Sequence, residues 1–221
     1  MNFILMELSL AVRQRIIVLE KTFEFCSFQY LNLWENHDRN CHKTLLNNSS
    51  EEEKLSVLKK AGMFYRVARN LPTKYDSERR YGHVLDILEN TNKEDFEKEP
   101  IKAILAIEKK ISEKYGKRGV LSLTTKFLWL KVKQPIIIYD SQARKALDTK
   151  NGDLKQFYEK WHDEFKKVKD DIAKACENLE NLYLYLPNQR DGLRDEIKKI
   201  SSESWFHERV FDIYLWNKGN V

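Results

Sequence analysis

The chain has 221 residues, 39 Lys and Arg against 34 Asp and Glu, a formal charge of +5, and 42% apolar residues with only 7 Gly and 4 Pro. That apolar content excludes a disordered tail, and the shortage of turn residues excludes sandwiches and barrels. No glycine-rich strand-to-helix loop is present, which excludes a doubly wound nucleotide fold and leaves an all-α protein.

The first twenty residues, MNFILMELSLAVRQRIIVLE, are apolar, but Glu7, Arg13 and Arg15 interrupt them and no basic head precedes them, unlike an export signal. No uncharged run approaches the ~20 residues of a membrane span, so no membrane partner is expected. Leu8, Val12, Ile16, Leu19, Phe23, Cys26, Tyr30 and Leu33 recur at steps of three and four, which predicts a helix over 5–37. Cys26, Cys41 and Cys176 are odd in number and lack CxxC spacing, which argues for a reducing, cytoplasmic setting (nucleoid-associated in a bacterium) without disulfides. Cys41, His42 and His37 lie close in sequence but lack a second ligand pair, so neither a metal nor another cofactor is expected.

Ser50 before Glu51, Glu52 and Glu53 is a helix start, because its hydroxyl caps free amides and the acids suit the positive end of the dipole. A helix is predicted over 51–70, ending before Pro72, and a short one near 77–89 after a basic, tyrosine-containing stretch. Arg66, Arg69, Arg79 and Arg80 are candidates to extend a basic surface. Residues 90–100, polar and ending in proline, form the candidate linker between a first lobe (1–90) and a second (91–189), with 190–221 returning to the first. Two helical lobes with a cleft between them follow as the expected architecture.

A helix over 101–115 is followed by Gly116-Lys117-Arg118-Gly119, a tight turn, and a second helix from Leu121 to about Val132. Next comes an apolar extended run, Pro135 to Tyr139, then Asp140 at the start of another helix, Ser141 to Leu147. Residues 102–150 carry twelve basic and four acidic side chains, a local charge of +8 that leaves −3 on the rest of the chain. A basic patch on an acidic body attracts phosphate backbones. Its plain alternative is a solvated helix face.

Helix, glycine hairpin, helix, apolar loop, then aspartate at a helix start resembles the helix-hairpin-helix DNA glycosylase superfamily, the group that includes 8-oxoguanine and alkyladenine glycosylases. The resemblance covers about fifty residues, from Gly116 to Leu147 and the helix before them. It implies excision of a base that has left the DNA stack, with Asp140 stabilising the cation-like sugar as the N-glycosidic bond breaks. It implies that Gly116, Lys117, Arg118, Gly119 and Ser122 hold the phosphate backbone, joined by Arg144 and Lys145. Tyr139, Trp129 and Phe127 stand as candidates for the base pocket or, equally, for the core. The catalytic lysine of bifunctional members falls near Leu121 here, so Lys126, further along the helix, is a nucleophile candidate only if the hairpin is shortened. Otherwise Lys126 is a phosphate contact or a snorkelling surface lysine, and Asp140 acts with water, serves as a helix cap, or belongs to a protein that has lost activity.

The clearest helix is 154–183, where Leu154, Tyr158, Trp161, Phe165, Val168, Ile172, Ala175, Leu179 and Leu182 form a heptad seam. It is either one long core helix of a monomer or a dimer seam through 154–182. A break at Pro187 to Gly192 leads to a final helix with Trp205, Phe206, Val210, Phe211 and Tyr214 inward, where Glu208-Arg209 and Asp212, set among aromatics, are placed for a buried ion pair. Three functions of different classes follow: a DNA glycosylase, a non-catalytic helical DNA-binding module, and a dimeric helical scaffold.

Overall fold

The computed structural model describes residues 22–220, so the 5–21 part of the helix expected over 5–37 lies outside the described residues. Those described are all-α: ten α-helices joined by short 3₁₀ and π-helical turns, without a strand among them. In chain order the helices are α1 (Phe23–Leu33), α2 (Arg39–Leu46), α3 (Glu51–Phe64), α4 (Gly82–Glu89) and α5 (Pro100–Lys114). They continue as α6 (Leu121–Val132), α7 (Ser141–Ala146), α8 (Leu154–Cys176), α9 (Leu193–Ser201) and α10 (Ser204–Gly219).

The first expected helix does not stop at residue 37. A π-helical turn, Trp34–Asp38, joins α1 to α2 without a break in the helical path. The capping box at Ser50 forms as its residue types dictate: Ser50 Oγ accepts from Glu53 N at 3.2 Å and Ser50 N donates to Glu53 Oε2 at 2.8 Å. Helix α3 ends at Phe64 rather than 70, because Arg66 takes a left-handed φ of 55° that no α-helix continues through. The helix expected from 77 starts at Gly82 instead. Buried Asp76 gathers the preceding loop, accepting from Tyr81 N at 2.8 Å and from Tyr115 Oη at 2.6 Å. The candidate linker is an ordered connection: Thr91 and Phe96 are buried, Lys93–Phe96 is a 3₁₀ turn, and Pro100 opens α5 at the position where a missing N–H costs nothing.

Helix α8 ends at Cys176, seven residues early, where Glu177 leaves helical geometry and Asn178 turns left-handed. It packs on this chain's own α1 and α10, with Leu154, Tyr158, Trp161, Ile172 and Ala175 of the seam buried and Phe165 and Val168 partly buried. The single final helix expected is two, α9 and α10. One continuous apolar cluster runs from Cys26 to Leu215, so residues assigned to both lobes share a core. Among the described residues no helix is long and apolar enough to cross a membrane.

Candidate functional site

Helix α5 closes on Tyr115, and Gly116 follows at φ +80° with Lys117 at +59°. A Cβ on Gly116 would meet the hydroxyl end of Tyr75, which would have to move, and the positive φ favours glycine there. Lys117 N donates to Ser112 O at 2.8 Å and Ser112 Oγ donates to Arg118 O at 2.7 Å, which pins the turn to the helix it leaves. Lys117, Arg118 and Gly119 are exposed, and a Cβ on Gly119 would meet open space. The amide of Val120, at the start of α6, is already used: it donates to Glu108 Oε1 at 2.9 Å.

Helix α6 is buried on every side from Leu123 to Leu130. That places Phe127 edge-on to Tyr81 and Trp129 edge-on to Tyr30, while Tyr139 packs edge-on to Phe157. The three base-pocket candidates are buried among core aromatics: Phe127 and Trp129 because their helix is enclosed on all sides, Tyr139 because the run after that helix is itself buried. The extended run after α6 has no strand to pair with, and side chains satisfy its backbone instead. Ile137 N donates to Tyr158 Oη at 2.9 Å and Tyr139 N to Thr125 Oγ1 at 3.0 Å.

This run delivers Asp140 to the N-cap of α7, where Oδ1 accepts from Gln142 N at 2.9 Å. Its other oxygen, Oδ2, accepts from Lys126 Nζ at 2.8 Å. The ammonium also donates to Ser122 Oγ at 2.8 Å, one turn back along α6, and lies 6.0 Å from the ring centre of Tyr65. The Lys126 side chain is 5% exposed and that of Asp140 21%. Two of three ammonium protons thus have polar partners and an aromatic face lies nearby, which compensates the loss of water. Burial pushes the Asp140 carboxyl up, but the charge and hydrogen bond of Lys126, the Gln142 amide and the nearby Arg209 outweigh it. The net effect holds Asp140 below its ordinary value, ionised at neutral pH.

Behind the pair lies a second buried cluster that sequence reasoning placed only in part. Of Glu208, Arg209 and Asp212, among which a buried ion pair was expected, Arg209 and Asp212 pair at 2.8 Å while Glu208 accepts from Gln134; Trp161 Nε1 donates to the other oxygen of Asp212 at 2.8 Å. The Arg209 guanidinium lies over Trp129 and Tyr30, 4.8 and 5.2 Å from their ring centres. Asp38, fully buried, accepts from Tyr65 Oη at 2.7 Å and lies 4.0 Å from Arg209. Asp38 and Tyr65 went unpredicted. The one signal was an acid on an otherwise apolar helix phase; Tyr65 gave none, because it lies just beyond the end of α3.

Arg144 Nη1 donates to Thr149 O at 2.7 Å and holds the loop after α7, while Lys145 is exposed. Two surface cavities, of about 270 Å³ beside Tyr75 and His83 and about 890 Å³ between the end of α8 and α9, are lined by neither Asp140 nor Lys126. His42 Nδ1 donates to Leu130 O at 2.8 Å, and Cys41 is buried. Among the described residues no group of three His, Cys, Asp or Glu side chains is arranged to hold a metal ion. Comparison of the chain with protein-family models, with curated proteins and with solved structures finds no match.

Proposed function

We propose that the chain is a DNA glycosylase-like protein that acts on a base drawn out of the duplex, with Asp140 facing the sugar. The observation that carries this reading is the Lys126–Asp140 contact at 2.8 Å, formed between the helix after the glycine turn and the aspartate after the apolar run. Breaking an N-glycosidic bond leaves positive charge on the sugar, and an ionised carboxylate stabilises it. The lowered proton affinity of Asp140 supplies that ionised form at neutral pH. Lys117 and Arg118, both exposed, give the turn two cations for phosphates. With the Val120 amide occupied, a strand would be gripped by these side chains and by the open backbone at Gly119.

Lys126 takes one of two roles. As a nucleophile it first gives up a proton, and its nitrogen then bonds to the sugar carbon as the base departs with the glycosidic electron pair. As an ammonium fixed against Asp140 it positions the carboxylate, and water attacks the sugar. Its near-complete burial favours the second role. The same burial supports a further reading, a DNA-binding module in which the pair is structural.

Incubation with duplexes carrying a panel of damaged bases, followed by hot alkali, separates these readings. Strand cleavage that disappears in Asp140→Asn while DNA affinity survives is the expected result. Borohydride trapping of a covalent adduct lost in Lys126→Met would assign the nucleophile to Lys126. DNA affinity without excision of any base would leave the binding module, and the absence of salt-sensitive DNA affinity would remove both.

A further inference from the structure

The π-helical turn Trp34–Asp38 sets two consecutive side chains side by side: His37 Nδ1 lies 2.9 Å from Asp38 Oδ1. Single π-helical turns inside α-helices recur at functional sites. That carboxylate oxygen also accepts from Tyr65 Oη at 2.7 Å. A carboxylate oxygen only accepts, so Nδ1 carries the hydrogen, and in that tautomer of the imidazole Nε2 is an acceptor. Nε2 is buried and has no hydrogen-bonding partner among the described residues. Over the imidazole lies Phe64, its ring centre 4.1 Å away and its plane inclined by 25°, yet 51% of Phe64 is exposed. Tyr65 links this stack to the candidate site, since its ring centre is 5.7 Å from that of His37 and 6.0 Å from Lys126 Nζ.

We propose that His37 is the residue that reads the base drawn to this site: a base with an N–H on its edge donates to Nε2 and displaces Phe64 from its place on the imidazole. This rests on the glycosylase-like reading. The tautomer fixed by Asp38 makes the preference directional, because an edge offering only acceptors would face an acceptor. A buried polar atom without a partner is costly, so a ligand that supplies the missing donor gains what an apolar neighbour cannot give. Phe64 holds the stacking position with a side chain half in water, which a base ring can replace at little loss, since aromatic stacking tolerates any π-face.

Binding of the full chain to three kinds of duplex tests this. One kind carries uracil or hypoxanthine at a mispaired position; the second carries the N3-methyl or N1-methyl counterpart, which lacks the N–H; the third carries a tetrahydrofuran residue with no base. Wild type is expected to prefer the N–H member of at least one pair by tenfold or more in fluorescence anisotropy. His37→Phe should erase that preference and leave tetrahydrofuran affinity within twofold. Phe64→Ala, at a half-exposed position that threatens folding least, should tighten binding of the preferred base by threefold or more. Wild-type DNA binding with no preference in either pair overturns the role of His37 and leaves the glycosylase-like reading standing. An equal loss on all three duplexes in His37→Phe also overturns it, because that is what a structural role produces. Failure of wild type to bind any duplex overturns both.

Discussion

Asp140 sits where two opposing influences meet, and its partner decides the outcome. Removing it by Asp140→Ala takes away an N-cap worth about 1 kcal/mol and leaves a buried ammonium unpaired, which costs about 3–5 kcal/mol. Adding Lys126→Met to that variant should restore about 2 kcal/mol or more, because the charge that needed a partner is gone. Urea denaturation of the two single variants and the double variant measures this; strictly additive losses would show that the contact stores no coupling energy. Glu208 offers a pH-dependent counterpart. Its Oε1 accepts from Gln134 Nε2 at 2.6 Å, and burial pushes its carboxyl up to about 7. A carboxyl raised in this way favours the folded state while it is protonated. Its contribution is full below the ordinary carboxylate range and is lost as pH rises through 7. Glu208→Gln should therefore raise thermal stability at pH 8 and leave it unchanged near pH 4. The gain should not exceed about 3 kcal/mol, since a tenfold change in proton affinity corresponds to about 1.4 kcal/mol. A gain of equal size at both pH values would assign the effect to packing.

At the scale of elements, the two glycines of the α5–α6 turn do different work. Gly116 has a left-handed backbone pressed against Tyr75, whereas Gly119 faces open space without a positive φ. Gly116→Ala should cost about 1–2 kcal/mol from the strained φ and the displaced tyrosine. Gly119→Ala should leave thermal stability unchanged, so any effect it has on DNA affinity reports on the surface of the turn. Equal melting temperatures for the two variants would mean that the Tyr75 contact yields freely. The order helix, turn, helix, apolar run, helix was legible because each element announces itself locally. Leu121 to Val132 is a largely apolar run that opens after a glycine turn, and Asp140 is a residue that caps helices. The end of α3 and the split between α9 and α10 were not legible, because an apolar pattern does not reveal where one residue leaves helical geometry, as Arg66 does by turning left-handed and Glu203 by extending.

Across the whole molecule, the buried polar groups bind distant segments to one another. Arg209 and Asp212 of α10 reach Asp38 before α2, Trp161 of α8 and, through Asp38, Tyr65 after α3. With a single apolar cluster around them, the described residues should unfold together. Far-ultraviolet circular dichroism and tryptophan fluorescence, followed through the same urea titration, should give coincident midpoints. Two separated transitions would show that the segments before and after residue 90 fold as independent lobes.

The sequence by itself determined the helical class, most helix positions and the proximity of Asp140 to a helix start. Those follow from apolar spacing and capping chemistry within a few residues of chain. Only the tertiary structure decided that Lys126 meets Asp140 across fourteen residues, that Phe127, Trp129 and Tyr139 belong to the core, and that most of the α8 seam packs against this chain's own helices. The physical reason is one of range. A helix face records that it must be buried, but which partner buries it, and which charge it meets there, depends on packing between segments far apart in the chain.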